Sequence, residues 1–164
     1  DVTEPLERFL GEVAALGEKH GPLLVQLPPS LSFNREVTGA FLTTLRERCA
    51  GHVVWEPRHR SWFTPDADRL LAGFQVARVA ADPALVTQAA QPGGWQGLVY
   101  YRLHGSPKMY YSPYSSEFLD ALAVALREAA ARSIPTWCIF DNTAEGAATL
   151  NALEVKHLAL QPAP

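Results

Sequence analysis

The sequence predicts an α/β fold built from parallel βα units. Short apolar runs alternate with stretches of helical periodicity, and the connecting segments carry helix caps rather than two-residue hairpin turns. The 164 residues are 48% hydrophobic and 19% charged, which is enough apolar material for a packed core and excludes a disordered chain. We therefore expect one domain over residues 1–164, containing five strands.

The elements follow from residue spacing. Each predicted helix repeats apolar residues at intervals of three and four, and each predicted strand is a short apolar run that closes at proline or a polar residue. The first such run predicts a strand buried on both faces. The predicted helix caps are Thr3, Asn34, Thr64, either Ser115 or Ser116, and Asn142. In chain order we predict helix 3–19, strand 23–27, helix 34–50, strand 52–56, helix 64–74, strand 76–81, strand 98–103, helix 115–129, strand 135–140 and helix 143–155.

Charge and hydropathy narrow the classes of partner. The chain has 14 Lys and Arg against 17 Asp and Glu and no long basic run, so nothing indicates binding to nucleic acid phosphates. No apolar stretch approaches the roughly 18 residues of a membrane span. Cys49 and Cys138 form no CxxC pattern and are typical of buried thiols in a reducing compartment. We expect a soluble cytoplasmic protein without membrane contact, and the sequence leaves its oligomeric state undetermined.

Polar residues follow the predicted strands, at the edge where parallel α/β sheets bind ligands. Glu56 and Arg58 are two residues apart, as are Arg102 and His104, so each pair points to one side of an extended segment. We predict Glu56 and His104 as a base and acid pair, with Asp141 as a third catalytic residue. The predicted substrate-binding residues are Gln26, Arg58, Asp82, Arg102, Lys108, Tyr110, Tyr114 and Asn142.

These residue types favour an anionic ligand. Arg58, Arg102, His104 and Lys108, with a helix beginning at Asn142, would form a locally positive pocket for phosphate or carboxylate. Two structural alternatives stay open. Glu56 could form an ion pair with Arg58 or Arg102 that closes the end of a core. His104 could equally hydrogen bond to the loop backbone.

The common catalytic fingerprints are missing from the sequence. It contains no GxSxG elbow, GxxxxGK[ST] loop or GxGxxG turn. A divalent metal has weak support, because the candidate ligands lack a diagnostic spacing, and we assign no metal ligand. Those candidates are Glu56, His59, Asp82, His104 and Asp141.

Four segments resemble the YecE-like family, the domain of unknown function numbered seventy-two. They are residues 21–30 (GPLLVQLPPS), 56–63 (EPRHRSWF), 101–105 (YRLHG) with Tyr110 and Tyr114, and 140–142 (FDN) with Ala148, Asn151 and Ala152. The resemblance implies a TIM-like barrel of which this chain supplies the final five βα units and lacks the first three, so that it covers the C-terminal two thirds. The family's biochemical role is not established. Members commonly have two asparagines where this chain has Asp141-Asn142, and the extra carboxylate would weaken anion binding or favour a cation.

Three functions follow as hypotheses. The first is an enzyme, with hydrolase or lyase-type acid–base chemistry, acting on a small anionic (phosphorylated or sugar-like) substrate at the carboxyl-terminal rim of the strands. The second is a non-catalytic module that binds a phosphorylated ligand or nucleic acid. The third is an inactive fragment of the full barrel, because an open set of strands exposes its edges.

Overall fold

The alternation of helices and strands is present in the computed structural model, which describes residues 2–161. These residues form a mixed α/β fold with five α-helices and seven strands. The elements are α1 (Thr3–Ala14), β1 (Leu23–Gln26), α2 (Arg35–Arg46), β2 (Val53–Glu56), α3 (Pro65–Gly73), β3 (Val76–Arg78), β4 (Ala80–Asp82), β5 (Gly93–Gly94), β6 (Val99–Leu103), α4 (Ser116–Ala131), β7 (Thr136–Phe140) and α5 (Ala147–Leu160).

The strands form two sheets, ordered β1-β2-β3-β5 and β4-β6-β7. Every pair is parallel except β3 with the two-residue β5. One extended segment, residues 76–82, belongs to both sheets. The Val79 N–H donates to the Trp55 carbonyl of β2 at 2.9 Å, whereas Ala80 pairs with Tyr101 of β6. The described residues form no closed barrel.

The predicted number of strands was wrong for a physical reason. The predicted strand 76–81 is two strands, because its first half pairs with β2 and its second half with β6. The other extra strand, β5, contains only glycines, and a run without apolar side chains carries no strand signal.

The two faces of the sheets bury different side chains, because successive residues of a strand point to opposite faces. Toward α2 and α3, one cluster includes Leu42, Leu45, Val53, Trp55, Leu71 and Val76. Toward α4 and α5, a second includes Leu103, Leu119, Leu122 and Val155. A third is formed on the opposite face by Val54, Ala77, Val79, Leu98 and Tyr100.

Three predicted caps are confirmed. Asn34, Thr64 and Ser115 accept hydrogen bonds from the backbone N–H three residues later, at 3.0, 3.3 and 3.4 Å. The other two were wrong. Thr3 lies inside the first turn of α1, and α5 begins well beyond Asn142, preceded by Gly146 in the left-handed region.

The first strand is less buried than predicted. Leu23 is buried in β1, but Gln26 is exposed, because this strand lies at the edge of its sheet with a partner on one side only. Helix α1 beside it buries none of its residues completely. Among the helices of the described chain, none has the length and hydropathy to span a bilayer.

Replacing a core leucine should cost far more stability than replacing an exposed one. Leu42 is 0% exposed on α2 and Leu150 is 70% exposed on α5. We expect Leu42→Ala to lower the free energy of unfolding by about 2–5 kcal/mol, because it removes buried methyl groups and leaves a cavity. Leu150→Ala, the control, should change it by less than about 0.5 kcal/mol. Urea unfolding measures both, and equal losses would contradict the described packing.

Candidate functional site

Strand register places a group of polar side chains at one end of the sheets. Gln26 and Glu56 are partners at the carboxyl ends of β1 and β2. Arg102 lies near the carboxyl end of β6, and His104 and Asp141 directly follow β6 and β7. Alternation places Glu56 on the face of Val54, above the third apolar cluster. We call this group, with Arg58, the Arg102 cluster: Gln26, Glu56, Arg58, Arg102, His104 and Asp141.

Arg102 is at the centre of the cluster. Its Nη1 donates to Gln26 Oε1 at 2.8 Å and to Glu56 Oε2 at 2.6 Å. Its Nη2 donates to Asp141 Oδ2. One guanidinium on β6 therefore links the ends of β1, β2 and β7.

His104 lies behind the two carboxylates. Its Nδ1 is 3.2 Å from Asp141 Oδ2, and its Nε2 is 3.6 Å from Glu56 Oε1. The same Nε2 is 3.4 Å from Arg58 Nη2, and Arg58 forms an ion pair with Glu56. Each ring nitrogen of His104 thus lies beside a carboxylate oxygen.

Burial divides the cluster into an inner and an outer part. The Glu56 and His104 side chains are each 2% exposed, whereas those of Arg58 and Asp141 are 26% and 25% exposed. The Arg102 side chain is intermediate, at 17%. A ligand at the strand ends would therefore contact the two arginines and Asp141 before the buried pair.

The charges of the cluster balance. Two guanidinium groups meet two carboxylates, so the formal charge is zero with a neutral imidazole. The ion pair that the sequence left open as an alternative is present, since Glu56 contacts both Arg58 and Arg102. The Lys108 ammonium is 3.7 Å from the centroid of the Tyr111 ring. The predicted contribution of a helix beginning at Asn142 to a positive pocket was wrong, because α5 begins at Ala147.

The ion pairs favour the charged forms of their members. Burial alone would raise the pKa of Glu56, but the contacts with His104 and Arg102 outweigh burial and lower it below the usual value. Burial likewise lowers the pKa of Arg102, but the hydrogen bond and charge of Glu56, with those of Asp141, raise it overall. The buried carboxylate and its arginine thus stabilise one another.

The cluster is nevertheless underbonded. Five buried side-chain polar atoms in the described residues lack an aligned hydrogen bond, and three of them belong to it: Glu56 Oε1, Arg58 Nε and His104 Nδ1. Glu56 Oε1 lies beside Arg58 Nη2, and His104 Nδ1 is 3.2 Å from Asp141 Oδ2, in both cases without hydrogen-bond alignment. Buried polar atoms in native structures are normally hydrogen bonded, and these three are exceptions within one cluster.

Asp82 and Tyr114 lie outside the cluster. Ala81 is the register partner of Arg102, so Asp82 points to the opposite face of the sheet. The buried Tyr114 hydroxyl donates to Asp82 Oδ1 at 3.0 Å and accepts from the Gly105 N–H at 2.8 Å. Two predicted substrate-binding residues thus form a link on the helix-covered face.

Asn142 belongs to a buried polar network rather than to a helix cap. Its Nδ2 donates to the Ser112 carbonyl and to Asn151 Oδ1, both at 3.0 Å. The same Asn151 oxygen accepts from the Tyr114 N–H at 3.1 Å. The network fastens the loops after β6 and β7 to α5. No structural role was predicted for Asn151 from the sequence; the available signal was an asparagine inside an apolar helix.

Tyr110 completes the outer rim. Its ring meets the His104 ring edge to face, with centroids 5.8 Å apart, and is 48% exposed. Its φ of +70° lies in the left-handed region, which is uncommon for a tyrosine. Its N–H donates to the His104 carbonyl, and its own carbonyl accepts from the Ala144 N–H at 3.0 Å. Within residues 2–161, no three His, Cys, Asp or Glu side chains are placed to hold a metal ion.

Comparison with known proteins gives a family and a fold. Residues 1–163 match the family described as "Protein of unknown function DUF72". A DUF72 family protein from Thermotoga maritima has a TM-score of 0.80 and 25% identity, over 98% of this chain and 66% of that chain. Two structures of a DUF72 family protein from Enterococcus faecalis have TM-scores of 0.79 and 0.77 at 20% and 21% identity, over 100% and 96% of this chain and 68% of theirs. The chain thus spans about two thirds of these relatives' length. No curated protein matches it.

Removing the Glu56 charge should strongly destabilise the fold. We expect Glu56→Gln to lower the free energy of unfolding by about 3–5 kcal/mol, because it leaves two arginines without their buried counter-charge. Glu36→Gln makes the same change on the exposed first turn of α2 and should cost about 1 kcal/mol or less. Urea unfolding at pH 7 compares them; a small loss for Glu56→Gln would show that solvent replaces the ion pair.

The same carboxylate should make stability depend on pH. The pKa of Glu56 is lower in the folded chain, so its contribution is complete above the unfolded value of about 4.3 and is lost as the pH falls through the folded value. The stability difference between wild type and Glu56→Gln should therefore narrow from pH 7 toward pH 3. Urea midpoints across this range test it, and a constant difference would contradict it.

Tyr114→Phe tests whether the hydroxyl is structural. Its removal leaves the Gly105 N–H and Asp82 without a buried partner, and should cost about 1–3 kcal/mol. Tyr111→Phe, at an exposed ring, should change stability by less than about 0.5 kcal/mol. Thermal and urea unfolding measure both variants. Equal effects would return Tyr114 to the list of ligand-binding candidates.

Proposed function

The chain belongs to the DUF72 family of proteins of unknown function, and we propose, from its Arg102 cluster, that it acts as an acid–base enzyme. Its substrate is a small anionic molecule, phosphorylated or sugar-like, that binds at the carboxyl-terminal rim of the strands. The chemistry is of the hydrolase or lyase type, in which a proton moves to or from the substrate at the Arg102 cluster.

The roles follow from exposure. Asp141 is the accessible carboxylate and exchanges a proton with the substrate, while His104 Nδ1, 3.2 Å behind it, becomes aligned to share that proton when the substrate is bound. Arg58 and Arg102 hold the anionic group of the substrate. Glu56 keeps the two guanidinium groups in place, which its burial favours over the catalytic role predicted from the sequence. Gln26 and Tyr110 line the rim.

One observation carries the proposal. A purely structural ion-pair network stabilises the fold most when every buried polar atom in it is hydrogen bonded. Here Glu56 Oε1, Arg58 Nε and His104 Nδ1 are buried without an aligned partner. Charged groups with shifted pKa values or missing hydrogen bonds concentrate at functional sites, because their polar atoms are placed to bond the substrate rather than one another.

We also propose that the βα units form part of a TIM-like barrel. Support comes from the parallel order that runs from β1 through residues 76–82 to β7, and from the apolar cluster on the face away from the helices. The polar residues at the carboxyl ends of these strands have the position of active-site residues in such barrels.

A cytoplasmic location is a further part of the proposal. Cys49 and Cys138 are both free thiols, and burial raises the pKa of Cys138 to about 12, which keeps its reactive thiolate scarce. Two unpaired cysteines are typical of a reducing compartment.

Turnover of a defined panel tests the enzyme. Sugar phosphates and hydroxy acids are incubated with the protein, with and without Mg²⁺, and products are followed by mass spectrometry. We expect Asp141→Asn to lower kcat/KM by about 100-fold or more, because it removes the proton-transferring group. Asp120→Asn, an exposed carboxamide change on α4, is the control and should retain full activity.

Two outcomes would contradict the proposal. One is a conversion that proceeds equally fast in Asp141→Asn and wild type. The other is protection of the protein against heat by a panel compound with no product after long incubation, which would favour the binding module.

A further inference from the structure

The connection between β4 and β6 contains no α-helix. Residues 83–98 form only a short 3₁₀ turn, Thr87–Ala90, and the two-residue β5. A cavity of about 210 Å³ lies here against the helix-side face of the sheet, and a more open one of about 490 Å³ lies beside the loop after β6. Asp82 and Phe118 line both cavities, which therefore adjoin at these two residues.

We call this space the Asp82 groove. Its inner walls are apolar and include alanines, whose short side chains leave the space between strand and helix unfilled. They come from β4, β6 and α4: Ala80, Ala81, Tyr101, Leu103, Ala121, Leu122 and Ala125. β6 has hydrogen-bonded neighbours on both sides. The groove therefore lies over the middle of a sheet, away from the open edges at β1 and β7.

Asp82 supplies the only charge among the described residues that line the groove. Its Oδ1 accepts from the Tyr114 hydroxyl, a neutral donor, and none of the ion pairs within residues 2–161 includes it. A carboxylate beside apolar walls, without a cationic partner, is complementary to a cation attached to an apolar body.

We propose that the Asp82 groove binds a small primary amine. The ammonium group pairs with the Asp82 carboxylate, and the apolar body lies against α4 between Phe118 and Ala125. Tyr114 is a positioning residue here, because its hydroxyl holds the carboxylate from the side of the Gly105 backbone. Asp82 and Arg102 point to opposite faces of the sheet, so this site is separate from the acid–base site.

A pair of probes with matched shape tests the site. Phenethylamine carries an ammonium group at pH 7, and 2-phenylethanol replaces it with a neutral hydroxyl. In NMR titrations of the whole chain we expect phenethylamine to bind at least about tenfold more tightly than the alcohol, with shifts at the backbone of β4, β6 and α4. Asp82→Asn should remove this preference and keep the acceptor for Tyr114.

Three variants control the result. Asp120→Asn removes a carboxylate on α4 outside the groove and should bind phenethylamine like wild type. Ala125→Leu fills the inner cavity and should weaken both probes, which keeps the proposal testable if Asp82→Asn fails to fold. Glu56→Gln, where it is folded, should bind phenethylamine normally, so failure of the acid–base proposal leaves this one standing.

Equal affinity of wild type for the amine and the alcohol would overturn the proposal. So would unchanged phenethylamine binding in a folded Asp82→Asn variant, or shifts confined to residues outside the groove.

Discussion

The guanidinium of Arg102 is the interaction on which the strand ends depend. In the part of the chain that the structure describes, it links side chains of β1 and β2 to the residue following β7, through Gln26, Glu56 and Asp141. β1 and β7 belong to different sheets, and within residues 2–161 no backbone pairing joins them. The planar fork of an arginine can bond several acceptors in fixed directions, which a lysine ammonium cannot do in the same way. The contacts of Arg102 therefore fix both the position of the candidate site and the alignment of the strand ends.

The two sheet faces divide the chemistry of the chain. Side chains on one face, such as those of Glu56 and Arg102, meet at the strand ends above the cluster of Val54 and Val79. Side chains on the other face, such as that of Asp82, meet the helices and their loops. The segment 76–82 serves both sheets, so the change of partner at Val79 sets which polar residue reaches which face. A single residue of slip there would exchange their environments.

Most of the fold could be predicted from sequence because its signals are local. The features that depend on the register between distant strands could not be predicted. Asn34 and Thr64 cap their helices as predicted, since capping depends only on the neighbouring backbone. The meeting of Glu56, Arg102 and His104 followed from alternation and from the shared end of parallel strands. Asp82 also lies at a strand end, but the face to which it points depends on the pairing of Ala81 with Arg102. The local sequence does not predict that pairing. Asn142 was predicted as a helix cap and as a substrate-binding residue. In the structure its side chain is instead hydrogen bonded to Asn151, which is distant in sequence.

Tyr110 joins two loops through its backbone. Its N–H is bonded to the carbonyl of His104, and its carbonyl accepts the N–H of Ala144 from the loop after β7. The bond between Tyr110 and Ala144 breaks if either loop moves away from the other, so we expect the two loops to open together. The left-handed backbone of Tyr110 is the geometry that lets one residue make both bonds. The link between the two loops is thereby set by the main chain rather than by the side chains that line the rim.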